Sequence, residues 1–269
     1  MRSTPPLGRP LVVAHRGASD DLAEHTLGAY RRAIDVGADA LECDVRLTSD
    51  GVLVCVHDRR VDRTSDGRGA VAGLRLAELA DLDFGSWHRN AFEAPDIDDR
   101  RVLTLERLLE VVVACDRRVG LAIETKHPSR HGEQVEVTLS ELLARFGLHR
   151  PDADGWSPAT VMSFAATGLR RMRRLQPEVP TVYLMQRIPL RLRDGVLPGM
   201  ADAVGPSLRA VRAVPSYVER VHAHGGEVLV WTVDAPEDVD FVTGLGADAV
   251  VTNRPAAALA QLTGRPQVS

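Results

Sequence analysis

Apolar and polar positions along this chain follow two rhythms that take turns. Short runs of aliphatic and β-branched residues have the length and composition of strands: Leu11 to Ala14, Ala40 to Val45, Leu121 to Glu124, Thr160 to Phe164, Thr181 to Met185, Ala203 to Ser207, Glu227 to Val233 and Ala249 to Thr252. Between them lie stretches of helical period, among them HTLGAYRRAIDVGA, LTLERLLEVVVACDRR, QVEVTLSELLARFG, GLRRMRRLQP, SYVERVHAHGG and PEDVDFVTGLG, several closed by Gly or Pro. Eight strands alternating with helices predict an α/β protein, a (β/α)8 TIM barrel. The same rhythm suits an open doubly wound sheet, and the helix between Met185 and Ala203 is poorly marked.

A ninth extended run, Val52 to Val56, follows the second strand after only Thr48-Ser49-Asp50-Gly51, and Asp-Gly between apolar runs predicts a β-hairpin. The return arm would bring His57 and Asp58 to the C-terminal rim of the barrel. Residues 59–101 are polar, carry Gly67, Gly69, Gly73, Gly85 and Pro95, and lack a βα rhythm, so they read as an insertion over that rim. Residues 1–9 and 264–269 read as loose termini, and residues 1–269 as one domain.

Composition narrows the function. The 269 residues carry Lys+Arg 33 against Asp+Glu 37, a net charge of -4, which argues against nucleic acid or an anionic membrane as partner. No segment approaches the length of a membrane span or a signal-peptide core. Cys43, Cys55 and Cys115 form no C-x-x-C pair and sit in apolar surroundings, which predicts a reducing, cytoplasmic setting without disulfides. All the basic residues but one are Arg; the exception is Lys126.

Candidate chemistry collects at strand ends. His15-Arg16-Gly17 closes the first strand, at the rim where barrel enzymes gather catalytic groups, although a histidine there also serves as a simple strand cap. Glu42 and Asp44 lie two apart in a strand and so share a face, as do Glu124 and Lys126. Like charges inside a barrel lose hydration and repel, a cost that a cation or a tight hydrogen-bond network offsets. Three carboxylates without a thiolate suit a hard divalent cation, Mg2+ or Ca2+, better than Zn2+. His15 and His57 are the pair suited to general acid and base work, with Arg16 and Lys126 as fixed positive charge for a phosphate. His88, His127, His131, His149, His222 and His224 read as structural.

These residues carry a resemblance. His15-Arg16-Gly17-Ala18-Ser19, Glu24-His25-Thr26-Leu27, Gly37 through Val45, Leu47 through Gly51, Val56-His57-Asp58, Glu124-Thr125-Lys126, Ser163-Phe164, Trp231-Thr232-Val233-Asp234 and Thr252-Asn253-Arg254-Pro255 together resemble the glycerophosphodiester phosphodiesterase family, in order and over nearly the whole chain. The resemblance implies a metal-dependent TIM-barrel enzyme that hydrolyses small glycerophosphodiesters to glycerol 3-phosphate and an alcohol through a cyclic phosphate formed by the substrate's own 2-hydroxyl. It implies Glu42, Asp44 and Glu124 as metal ligands, His15 and His57 as the acid/base pair, Arg16 and Lys126 as phosphate contacts and Trp231 as a wall of the glycerol pocket. Two positions depart from the family's usual pattern: His25 stands where Asn is usual, and Asp234 where Asn often follows Trp-Thr-Val. Glu24 reads either as a further or indirect metal partner or as the favourable N-terminal acid of the first helix. Two other readings stay open: a phospholipase C- or D-like relative that stops at the cyclic phosphate, and a non-catalytic barrel that binds phosphodiesters. No segment demands a protein partner, which leaves a monomer or small homo-oligomer as the default.

Overall fold

A computed structural model describes residues 8–90 and 100–264. The stretch 91–99 of the expected insertion lies outside the described residues, as do residues 1–7 and 265–269 of the expected loose termini. Nine strands form one sheet: β1 (Leu11–His15), β2 (Ala40–Leu47), β3 (Leu53–Cys55), β4 (Gly120–Thr125), β5 (Ala159–Ser163), β6 (Thr181–Met185), β7 (Ala203–Pro206), β8 (Glu227–Val230) and β9 (Ala249–Thr252). All but β3 run parallel, in the order β1-β9-β8-β7-β6-β5-β4-β2, and β1 pairs with β2 to close the barrel. Closure decides against the open sheet. β3 pairs antiparallel with the outer half of β2, Val45 opposite Cys55 and Leu47 opposite Leu53, as the Asp-Gly signal requires.

Helices cover the barrel's outer face: α1 (Leu27–Asp35), α3 (Leu105–Val113), α4 (Gln134–Arg145), α5 (Ala166–Leu175), α6 (Leu208–Ala213), α7 (Tyr217–Ala223), α8 (Pro236–Gly244) and α9 (Pro255–Thr263). Thr26, Thr104 and Ser207 cap α1, α3 and α6 by accepting a backbone N–H. The connection from β6 to β7, whose helix the sequence marks poorly, holds only a 3-10 turn at Leu190–Leu192, because Pro189, Gly195, Pro198 and Gly199 break any longer helix. Within 59–101 the described part holds a 3-10 turn and the short helix α2 (Leu76–Ala80). Its Val61, Val71, Leu79 and Phe84 pack with Val54 and Val56 of the hairpin arm as a small core of their own.

Strand period two sorts the side chains. One face of the barrel strands packs against the helices: Leu41, Cys43 and Val45 join α1 and α3, while Val228, Val230 and Val250 join α7 to α9. The other face fills the barrel interior with Val13, Ala40, Ala122, Met162, Val182, Leu184, Leu229 and Val251. Moving two residues toward the C-terminus from members of this layer gives His15, Glu42, Glu124, Trp231 and Asn253. The apolar plug therefore hands over to the functional layer by backbone geometry alone.

Candidate active site

A pocket with about 590 Å³ of empty space opens above the plug, lined on one side by His15, Arg16, Glu42, His57, Glu124 and Lys126. Its other side is largely apolar, formed by residues that include Met162, Phe164, Leu184, Leu229 and Trp231. Strand register builds the charged side: His15 stands opposite Glu42 across β1 and β2, and Asp44 opposite Glu124 across β2 and β4. Carboxylate oxygens of Glu42, Asp44 and Glu124 all lie within 4.8 Å of one another, and all three residues are buried. Burial and the nearby Asp44 charge raise Glu42 well above the usual carboxylate range and push Glu124 up to about 8. Asp44 is buried as well, but the hydrogen bond and charge of His25, with the charges of Lys126 and Arg16, hold it well below that range. The cluster thus carries more carboxylate than its basic neighbours balance. Three clustered oxygen donors without sulfur fit a hard divalent cation.

Basic residues are built around the same three acids. Lys126 Nζ is 2.8 Å from Glu124 Oε1 and 3.1 Å from Asp44 Oδ1. Arg16 takes φ 58, which turns its backbone N–H onto Glu42 Oε2 at 2.9 Å, while its guanidinium meets Asp44 at 3.1 Å and Glu24 at 3.0 Å. The next residue, Gly17, has φ 86, and a Cβ there would lie 2.7 Å from the Ala29 backbone, so this turn requires glycine. Glu24 lies outside the first turn of α1 and outside the three-acid cluster; Arg16 and Arg63 hold its carboxylate, and Arg16 links it to Asp44. His25 takes φ 62, a conformation that Asn adopts more readily, and its Nε2–H donates to Asp44 at 2.9 Å. Its Nδ1 meets the buried Tyr30 hydroxyl at 2.8 Å, a contact that the shorter Asn could not make from the same place.

Each rim histidine is braced from behind. Asp234 accepts the side-chain N–H of Asn253 at 2.7 Å and its backbone N–H at 2.8 Å. A carboxylate only accepts, so the Asn253 amide must turn its oxygen the other way, toward His15 Nδ1 at 2.7 Å and Ser19 Oγ at 2.8 Å. His15 therefore carries its proton on Nδ1 and presents the Nε2 lone pair to the pocket, 4.0 Å from Glu42 Oε2. Burial and the Arg16 charge lower its pKa to about 4. His57 Nδ1 meets Asp58 at 2.6 Å, and Arg63 links Asp58 to Glu24. Burial lowers the His57 pKa too, against the opposing pull of Asp44 and of the Asp58 hydrogen bond.

Trp231 donates its indole N–H to Gly205 O at 2.6 Å and stands edge-on to Phe164, ring centres 5.5 Å apart. The structure thus brings His15, Arg16, Glu42, His57, Glu124, Lys126 and Trp231 to one pocket, with Asp44 clustered with two of its acids and Glu24 held by Arg16 and Arg63. Asn253 and Phe164 sit in motifs that the sequence displays, yet no role falls to them from the sequence. Their signal was period two beyond Val251 and Met162.

Residues 15–257 match the glycerophosphoryl diester phosphodiesterase family. A Mycobacterium tuberculosis protein named "Probable glycerophosphodiester phosphodiesterase 1" is 47% identical over 249 residues, covering 92% of this chain and 90% of its own. The Bacillus subtilis "Glycerophosphodiester phosphodiesterase" is 32% identical over 254 residues, covering 92% of this chain and 84% of its own. Among solved structures, an Oleispira antarctica phosphodiesterase in complex with the product sn-glycerol-3-phosphate superposes with a TM-score of 0.80 at 28% identity, over 95% of this chain and 98% of that one. A match that begins at His15 and runs through the strand ends just described has one meaning: the chain belongs to the glycerophosphoryl diester phosphodiesterase family.

Proposed function

We propose that this enzyme hydrolyses glycerophosphodiesters to glycerol 3-phosphate and an alcohol, with His15 as the first base and His57 as the first acid. The observation that carries the assignment is what stands behind each ring. A neutral amide behind His15 fixes a neutral imidazole with a free Nε2. A carboxylate behind His57 works against the burial that lowers its pKa, and the ring also sits nearer solvent, so of the two it is the better placed to carry the proton. In the first step His15 Nε2 takes the proton of the substrate's 2-hydroxyl, whose oxygen attacks phosphorus. The bond to the leaving alcohol breaks, and His57 gives its Nε2 proton to that oxygen. In the second step neutral His57 takes a proton from water, the hydroxide opens the cyclic phosphate, and protonated His15 returns its proton to the 2-oxygen.

Glu42, Asp44 and Glu124 would hold Mg2+ or Ca2+, which when bound supplies positive charge against the phosphoryl oxygens. Arg16 and Lys126 add fixed charge on the same side, and Phe164 and Trp231 offer an apolar wall for the glycerol carbons. Among the described residues no helix is long and apolar enough to cross a membrane, which accords with a small dissolved substrate. The unpaired Cys43, Cys55 and Cys115 accord with the cytoplasm. We read residues 1–269 as one domain, a monomer or small homo-oligomer.

Product analysis with glycerophosphoethanolamine tests this. Glycerol 3-phosphate should form, His15→Ala and His57→Ala should each lower turnover by about a hundredfold or more, and chelation should abolish it. Near-wild-type activity of either variant would overturn the acid/base pair. Accumulated cyclic phosphate would favour the reading that stops at the first step.

A further inference from the structure

A second cleft, with about 410 Å³ of empty space, shares Lys126 with the active pocket and is lined by Arg46, Arg59, Arg130 and Ser129 on its polar side. No Asp or Glu lines it, in a chain whose acids outnumber its bases. Arg16, Arg63, Arg118, Arg171 and Arg173 each meet a carboxylate. Among the described residues, Arg46, Arg59 and Arg130 meet none. Arg46 is half-buried on β2, and its Nε and one terminal nitrogen donate to the carbonyl of His57 at 2.9 and 2.7 Å. Guanidinium groups without an ion-pair partner around one cavity leave donors that an anion can take, and the planar fork suits phosphate or carboxylate.

Position relative to the reaction decides what that anion belongs to. The apolar wall of Phe164 and Trp231 takes one end of the substrate, and the cleft lies across Lys126 from it. We propose that the cleft takes an anionic group, phosphate or carboxylate, carried by the leaving alcohol, so that the preferred substrates are glycerophosphodiesters with a second negative charge on the alcohol side. The proposal rests on the phosphodiesterase reading above and names the substrate class of that same site.

The test compares glycerophosphoglycerol with the same compound phosphorylated on its terminal hydroxyl, with glycerophosphoserine as the carboxylate arm. Wild type should show kcat/KM at least about tenfold higher for the phosphorylated compound, a preference that shrinks as salt rises. The Arg59→Ser/Arg130→Ser double variant should bring the preference to within about twofold of unity, while kcat/KM for glycerophosphoglycerol stays within about twofold of wild type. A preference for glycerophosphoserine alone assigns the carboxylate as the anion. Equal rates in wild type, or a preference that survives the double variant, would overturn the cleft. So would a variant that keeps the preference but loses binding to phosphatidylglycerol vesicles, which would assign these arginines to a membrane. If none of the compounds is hydrolysed, the phosphodiesterase reading itself fails, an outcome distinct from hydrolysis without preference.

Discussion

Replacing Asp234 by Asn changes one oxygen for one NH2 group, far from the scissile bond, and should nevertheless remove the base. Asp234 accepts three hydrogen bonds, from Thr252 Oγ, Asn253 N and Asn253 Nδ2, at 2.9, 2.8 and 2.7 Å. The oxygen facing the first two donors stays a carbonyl in Asp234→Asn, so the new NH2 group faces the Asn253 NH2 group. An unmatched donor pair in a partly buried site costs roughly 1–3 kcal/mol, enough to turn the Asn253 amide over. Its NH2 group would then sit 2.7 Å from His15 Nδ1, which must accept, and the His15 proton moves to Nε2. Without a lone pair at Nε2 the ring cannot take the hydroxyl proton. The loss of a general base is worth about 10²–10⁴ in kcat, or roughly 3–5 kcal/mol of barrier. Steady-state kinetics with glycerophosphoethanolamine reads the rate, and 15N chemical shifts of His15 read the tautomer directly. Adding Asn253→Asp should restore the relay, because the new carboxylate accepts from both the amide at 234 and His15 Nδ1. Recovery to within about tenfold of wild type is expected. Asp234→Asn with wild-type turnover and an unchanged tautomer, or a loss that Asn253→Asp does not repair, would refute the relay.

Three further outcomes follow from the same geometry. Lys126→Arg should lose at least about tenfold in kcat/KM, because Nζ fits as a point between carboxylates 2.8 and 3.1 Å away where a guanidinium fork is too wide; activity equal to wild type would show that only charge matters there. Gly17→Ala should cost about 2–4 kcal/mol in urea unfolding, combining the φ 86 penalty with a Cβ that meets Ala29 backbone at 2.7 Å. Glu24 has its pKa lowered to about 2, with Arg63 and Arg16 outweighing burial, so its contribution to stability is present above about 4.5 and is lost as pH falls through about 2. That contribution is at most about 3 kcal/mol and less after screening of the half-exposed Arg63, so Glu24→Gln should flatten the stability loss of urea titrations between those pH values.

The parts of this architecture that follow period two are legible in the sequence. Val13-x-His15, Ala40-x-Glu42-x-Asp44 and Ala122-x-Glu124-x-Lys126 announce both an interior face and what stands at its end. The hairpin is legible because Asp50-Gly51 selects its turn. Contacts made across long separations are not. Arg63 reaches Glu24 over 39 positions, and His15 reaches Asn253 over 238, by packing that no local pattern encodes. Asp234 could be flagged only as a departure that adds charge; the structure shows that charge fully engaged by Thr252 and Asn253. Glu24 is the converse case, an acid ahead of α1 in the sequence whose carboxylate the structure shows held by Arg16 and Arg63.

β2 serves first as a barrel stave, to Asp44, and then as one arm of a hairpin whose return brings Val56 N–H to Asp44 O at 3.0 Å. His57 and two of the three clustered acids therefore sit on one short, continuous ladder, with Arg46 fastening the His57 carbonyl to the same strand. Their mutual spacing is set before the chain reaches residue 59. Insertions and deletions between Arg63 and Arg101 can accumulate without moving the His57 imidazole relative to Glu42 or Asp44. Over a lineage, such a scaffold lets the surroundings of the pocket diverge, and with them the alcohols it accepts, while the hydrolytic step is inherited intact.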